Sequence, residues 1–399
     1  MKNITEIAEQ MLCSGCGTCN SVCGVKAISM EWTKMGRLYA KVDKDKCVDC
    51  GMCLKVCPKT SVSEDCINVS VSKIVGNYLK CYIGRSLDQQ YYANAQSGGL
   101  VTTLLRFLFK KGKIEAAVVC VMEYGKGCPS TRYSIINDPD DLAKSQKSSY
   151  TPVDIVSSAS ELKNFKSVAI VGIPCHIQGF TKLQEINRCN NVKYKIGLIC
   201  DKTESRLFAE ALRGKVFPAK NLKIFYRKKG KIENGQIFSY KSAPVVIDVE
   251  DGEQVALPNL KRFMLKDIFA LPTCKVCYDK LNTLADIVCG DPWGLDGKYD
   301  KQNGDSLFFT RTPELQEIVD QMLTEKEIIA NEVSMDEIVK GQLIEKRIKD
   351  IKSCNWTKIQ SEWQAKENQT REQILRKANF IYQKANIKRI IKNLLHGKL

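Results

Sequence analysis

Eight of the nineteen cysteines fall between Cys13 and Cys57 in two nearly identical runs, CSGCGTCNSVCG and CVDCGMCLKVCP. Cys13, Cys16, Cys19 and Cys23 stand in a C-x2-C-x2-C-x3-C spacing that Cys47, Cys50, Cys53 and Cys57 repeat. Three thiolates on one short loop can wrap an iron–sulfur cubane, while the fourth, one turn further on, is directed at the other cluster. The spacing assigns Cys13, Cys16, Cys19 and Cys57 to one [4Fe-4S] cluster and Cys47, Cys50, Cys53 and Cys23 to a second. Zinc usually draws on two well-separated cysteine pairs, and disulfides need an oxidising compartment, so the triple spacing favours cubanes over both.

Four more cysteines share a second pattern. IVGIPCHIQGF puts Cys175 at the C-terminal end of an expected strand, where α/β sheets present ligands, and IGLICDKTES does the same for Cys200. LPTCKVCYDK adds the close pair Cys274 and Cys277. These four form a candidate set for a third cluster, with zinc as the rival occupant. QSGGLVTTLLRFLF places Ser97 at a helix N-cap and Gly98 and Gly99 at its opening, where free N–H groups and the helix dipole favour a phosphate. His176 is the only histidine outside the tail, hence the sole imidazole there for proton delivery, unless it is simply a core or cluster-neighbouring side chain.

These side chains need elements to hold them. Residues 1–70 read as a ferredoxin-like two-cluster module, with VKAISME and VSEDCINVS as short strands after the two cysteine runs. From Ile74 to about Thr310, helices alternate with β-branched apolar runs: a helix over Leu100–Lys110 and strands over Ala116–Met122, Ser167–Ile173 and Val192–Ile199. Hairpins are expected to turn at Lys229-Gly230 and Asn234-Gly235. After Pro313 the chain reads as helical and charged, with a break near Asn386 where the apolar stripe changes sides. The expected class is α+β: a ferredoxin-type 2[4Fe-4S] domain (1–70), a mixed α/β domain with the candidate phosphate site (71–312) and a helical basic C-terminal region (313–399).

Over 399 residues, 61 lysines and arginines oppose 45 acidic residues, a formal charge of +16. Cluster thiolates offset part of that charge, and a basic surface suits acidic electron carriers and phosphorylated cofactors. No helix-turn-helix, RNA-binding or C2H2 pattern is present, so no nucleic-acid partner is expected. Apolar runs such as AAVVCVM fall far short of the roughly 20 residues of a membrane span. The opening MKNITEIAEQML has no apolar leader segment, and a cytoplasmic setting is expected. Lys388, Arg389 and Lys392 lie opposite an apolar face in the tail, which could rest on an anionic membrane surface or dock a partner.

Taken together, the ladder, the Ser97-Gly98-Gly99 helix opening, GIPC around Cys175, Cys200, the Cys274/Cys277 pair and Gly290-Asp291 resemble the family of coenzyme F420 hydrogenase/dehydrogenase beta subunits, joined to a two-cluster ferredoxin module. Gly24 departs from the ferredoxin pattern, which has proline there. The resemblance implies FAD beside a [4Fe-4S] cluster. Ser97, Gly98, Gly99 and Thr102 would hold the FAD pyrophosphate, and KSSYTP, with Ser149 and Tyr150, would lie near the flavin. Asp291 would contact the ribityl or cluster region, or cap a turn. The implied function is an iron–sulfur flavoprotein oxidoreductase, in which single electrons from clusters are paired on FAD and exchanged with a deazaflavin coenzyme or another metabolite. A redox protein such as ferredoxin is the expected partner. A non-catalytic electron carrier, whose larger domain only docks a partner, is the alternative.

Overall fold

The two cysteine runs are held by a small hairpin and a packed floor. In the computed structural model, which describes residues 3–395 apart from 219, 234–235, 240–242 and 301–302, β1 (Ile28–Trp32) pairs antiparallel with β2 (Leu38–Val42) after the first run. The second run is followed by a helix, Val62–Ile67, in place of the expected strand. Glu64 and Asp65 in its first turn suit the positive end of a helix dipole, and no described strand lies alongside to pair with this segment.

The module is built into the rest of the molecule. The Val156 N–H donates to the Cys16 carbonyl at 3.0 Å, and Asn20 donates to the Ser157 hydroxyl at 3.1 Å. Cys16, Val22, Val56 and Val69 share one apolar core with Ile155, Ile177 and Phe180.

Downstream, β3 (Cys81–Ser86) and β4 (Ala116–Glu123) begin a large sheet; β5 (Gly125–Lys126) leaves it, and β6 (Ser130–Ile136), β7 (Val168–Gly172) and β8 (Val192–Leu198) return. β9 (Asn221–Phe225) precedes a hairpin of β10 (Lys229–Glu233) and β11 (Gln236–Ser239), then come β12 (Val245–Asp248) and β13 (Gln254–Ala256). β14 (Ile287–Gly290), β15 (Ser306–Thr310) and β16 (Ile328–Glu332) complete the large sheet, whose order is β16-β3-β15-β14-β8-β7-β4-β6. Its centre, β14-β8-β7-β4, is parallel, and antiparallel strands flank it on both sides. β4, β7 and β14 are near-continuous apolar runs, as strands buried on both faces are, whereas β8 alternates, with Lys193 exposed and Lys195 half-buried between buried residues. A second sheet runs β13-β12-β9-β5.

The helix Leu100–Lys110 forms where periodicity places it, burying Leu104, Leu105, Phe107 and Leu108. Three other expectations fail. Lys229-Gly230 is not a turn but lies in β10, whose pairing with β11 is irregular between Lys229 and Ile232, a place that suits glycine; the other expected turn, Asn234-Gly235, lies outside the described residues. The region after Pro313 is not wholly helical: β16 pairs with the edge of β3, so the large sheet crosses the expected boundary at 312. Finally, the helix Arg371–Leu395 runs unbroken through Asn386. Its first stripe, Ile374, Ala378 and Tyr382, is buried, whereas Ile387 and Ile390 stay exposed, so no break is needed to turn them inward. Among the described residues no helix is long and apolar enough to cross a membrane.

Candidate redox site

Spacing pairs the ladder cysteines across the two runs, and the fold brings the first set together. Cys13, Cys16, Cys19 and Cys57 line one small cavity with Pro58 and Lys59. The Cys19 thiol is pushed well up by burial first and then by Cys13, Cys16 and Cys57. In the second set Cys53 faces Cys50, and Cys23 packs in the same small core as Cys53 while accepting the Ala27 N–H at 3.1 Å. This set meets solvent: Cys50 is exposed and Val48 beside it is 66% exposed.

The third set is assembled from four places. Cys175 sits in the first turn of the helix Pro174–Gln184, directly after β7, and Cys200 follows the end of β8. Cys274 lies in the short helix Pro272–Lys275, with Cys277 just beyond it. The four thiols converge: burial first, then Cys274, Cys175 and Cys277, push the Cys200 thiol far up. Cys175 is raised by burial and by Cys16 of the ladder as well as by Cys277 and Cys274, so the third set adjoins the first ladder set. Among the described residues no group of three or more His, Cys, Asp or Glu side chains stands close enough to hold a single metal ion.

Two cations that the sequence does not mark hold this region. Arg347, on the helix Ile344–Lys352, donates to the Cys277 carbonyl at 2.6 Å, to the Cys274 carbonyl at 2.9 Å and to the Asp201 carbonyl at 3.1 Å, tying down the loop that carries the cysteine pair. Lys59 is 6% exposed; burial opposes its charge, but Cys277, Cys175, Cys274 and Cys16 outweigh it and raise the ammonium. It therefore stands between the ladder and the third set. Neither residue has a spacing signal, because each meets its partners only through tertiary packing.

A cavity of about 550 Å³ opens at the C-terminal ends of β7, β8 and β14, lined by Gly172, Leu198, Gly290 and Asp291. Cys200 belongs both to its wall and to the third thiol set. Ser97, Gly99, Thr102, Ser149, Tyr150, His176 and Asp291 all face it, so the fold gathers most of the expected site. Gly98 lies outside the wall. Its N–H is taken by the Ser306 hydroxyl at 3.0 Å, and a Cβ there would stand 2.5 Å from the Gly84 carbonyl oxygen, so this glycine serves close packing rather than a phosphate. Nor is Ser97 the N-cap. That position is Gly99, left-handed at φ 79°, and the Ser97 hydroxyl instead donates to Asp291.

Asp291 also pairs with Arg227 at 2.5 Å, and the Arg227 guanidinium lies 5.5 Å from the centre of the Trp293 ring. The Asp291 carbonyl accepts from Gln342 at 2.8 Å, and Leu343, left-handed at φ 53°, joins the cavity wall. Asp291 is thus a tie between the Ser97 loop, the Arg227 strand end and the C-terminal region. His176 is buried with an unpartnered Nδ1, and burial lowers its imidazole to about 3, the Val153 backbone opposing this only in part. Burial thus favours the neutral imidazole, whose ring N–H is held by the Val153 backbone. Cys289 packs within β14, and burial raises it to about 12.

The fold and thiol sets define an iron–sulfur electron-transfer protein of mixed α/β architecture. The chain belongs to the family of coenzyme F420 hydrogenase/dehydrogenase beta subunits: residues 81–159 match the family's N-terminal region and residues 165–336 its C-terminal region, while residues 12–61 match a 4Fe-4S dicluster domain. It is 29% identical over 323 residues to the coenzyme F420-dependent sulfite reductase of Methanocaldococcus jannaschii, covering 74% of this chain and 44% of that protein. To a component of the F(420)H(2) dehydrogenase of Methanosarcina mazei it is 25% identical over 360 residues, covering 87% of this chain and 92% of that one. A chain of the F420-reducing [NiFe] hydrogenase complex from Methanosarcina barkeri shares the fold, with a TM-score of 0.53 at 21% identity over 70% of this chain and 91% of that chain. The chain thus spans less than half of the sulfite reductase but nearly all of the M. mazei dehydrogenase component.

Proposed function

We propose that this chain passes electrons between a redox partner protein and an organic substrate, through the two ladder clusters, a third cluster on Cys175, Cys200, Cys274 and Cys277, and FAD held in the cavity. The observation that carries the reading is continuity: Cys16 adjoins Cys175, and Cys200 is shared by the third set and the cavity wall. The exposed second set, with Cys50 at the surface, is the point of exchange with the partner.

The cavity suits FAD in its donor set: Gly99 and Thr102 present the start of a helix, the Ser149–Tyr150 loop supplies hydroxyls, and Arg227 supplies buried positive charge. When bound, FAD supplies the switch between one-electron and two-electron chemistry. This chain's residues hold and orient it: Asp291 fixes Arg227 and Ser97 on one side, and Tyr150 packs edge-on against Tyr226, 5.0 Å between ring centres, on the other. The names of the relatives point to a deazaflavin coenzyme as the substrate class.

Anaerobically purified protein tests this directly. About twelve irons per chain, at four per cluster, and extractable FAD are expected. About eight irons with stoichiometric zinc would assign the third set to a structural metal, and absence of flavin after anaerobic reconstitution would favour the carrier reading.

A further inference from the structure

Reduction of an organic group in the cavity needs protons as well as electrons. Among the described residues of the cavity wall, besides His176, Glu204 and Arg262 are buried with an unused side-chain atom, and of these two only the carboxyl can give up a proton near neutral pH. Glu204 is 3% exposed, faces the cavity, and its Oε2 has no hydrogen-bond partner. Its backbone lies where the electron and flavin sides meet. The Glu204 N–H donates to the Tyr150 carbonyl at 2.9 Å, and the preceding N–H, of Thr203, donates to the Cys274 sulfur at 3.4 Å. A single bridge to Ala270 holds the segment against the end of the helix Asn259–Phe269.

We propose that Glu204 is the proton donor of the cavity, standing between the thiol set that delivers electrons and the Tyr150 loop. The inference rests on the reading of the cavity as the place where a two-electron, nitrogen-heterocyclic acceptor is reduced. That acceptor takes up two electrons and two protons. Both electrons come from reduced iron–sulfur clusters, one at a time. One proton leaves the Glu204 carboxyl, its O–H bond breaking as the new bond to the acceptor forms; the second comes from water, and water then returns a proton to the carboxylate.

The surroundings fit both states. Lys202 and Asp201 face Glu204 from its own segment, Lys266 and Arg262 from the helix Asn259–Phe269, and Tyr226 from beyond β9, with Tyr150 next to that ring. Burial outweighs the neighbouring lysines and pushes the carboxyl up to about 8, so it carries a proton at pH 7. Once the proton is given, Lys202, Lys266 and Arg262 stabilise the carboxylate left behind.

The test uses the holoprotein, with FAD as the probe and Glu204→Gln as the variant. Infrared difference spectra of wild type against E204Q should show a protonated carboxyl band at pH 7 that fades through about pH 8. In stopped-flow reduction by dithionite, wild-type flavin reduction should fall about tenfold per pH unit above that point, and E204Q should be slower by about a hundredfold at pH 7 and lack the pH limb. If E204Q fails to fold, Glu204→Asp, which keeps the acid, must retain a falling limb. The proposal is overturned if the carboxyl is ionised at pH 7, if FAD-loaded E204Q is as fast as wild type, or if E204D loses the limb. A wild type that binds no flavin removes the flavin reading instead, and the infrared band alone then decides whether Glu204 carries the proton.

Discussion

The ladder and the third thiol set hold the same number of cysteines per cluster but are built in opposite ways. In the ladder, three of every four thiols come from one loop, so a cluster is nearly complete before the chain has folded around it. The third set draws on the ends of β7 and β8 and on the Cys274–Cys277 loop, which Arg347 ties down from a helix some seventy residues later. One site is held by covalent proximity and the other by the whole domain. Damage to the scaffold should therefore empty the third set and spare the ladder.

The largest expected effect comes from the thiols themselves. Cys274→Ser with Cys277→Ser should lower the iron content by about four per chain, one cluster's worth, and interrupt transfer into the cavity, while the ladder signals in low-temperature paramagnetic resonance persist. Loss of all iron would show that the ladder, too, depends on the domain.

Next, Asp291→Ala removes the carboxylate that pairs with Arg227, whose side chain is 8% exposed. Removing one partner of a buried ion pair costs about 3–5 kcal/mol. Chemical denaturation should register that loss, and FAD content should fall while iron in the ladder is unchanged. This change is a cleaner probe of the cavity than a substitution at Gly99, where φ of 79° strains any other residue.

Arg347→Ala should cost about 1–3 kcal/mol, because the carbonyls of Cys274 and Cys277 lose a charged donor. Its signature is selective: on mild warming under anaerobic conditions, about four irons should leave before the rest. Arg347→Lys should not restore retention, since one ammonium cannot reproduce a fork spanning several carbonyls.

The smallest effect belongs to the ladder's own turn. Gly24 has open space where a Cβ would go and no positive φ, so Gly24→Ala should stabilise by about 0.4–1 kcal/mol through the unfolded chain, with all iron retained. A loss of iron here would break the contrast, by showing that the ladder turn is as finely positioned as the third set.

Much of the site is legible in the chain because its signals are local. Cysteine spacing reports which thiols one loop can present, and apolar runs report the central strands, so Cys175 and Cys200 can be placed at strand ends without knowledge of any contact. Helical periodicity places Leu100–Lys110 but not the role of its entry: the pattern there suggests Ser97 as the cap and Gly98 as a phosphate contact, whereas Gly98 packs against β3 and β15 and Ser97 reaches Asp291. VSEDCI and IIANE mislead in opposite directions, one strand-like run forming a helix for lack of a partner and one run in a helical setting pairing with β3.

The ladder, the apolar runs that become the central strands, and the placing of Cys175 and Cys200 at strand ends and of Cys274 and Cys277 on one loop can be read from residue order, since each signal depends on residues a few positions apart. Which distant charges serve them is settled by tertiary packing: Lys59 between two thiol sets, Arg347 on the cysteine loop, Arg227 on Asp291 and Glu204 at the cavity wall. A lone lysine, arginine or glutamate has no spacing to betray it. Its burial and its partners, which set its charge and hence its use, exist only once the sheet and the C-terminal helices have closed around it.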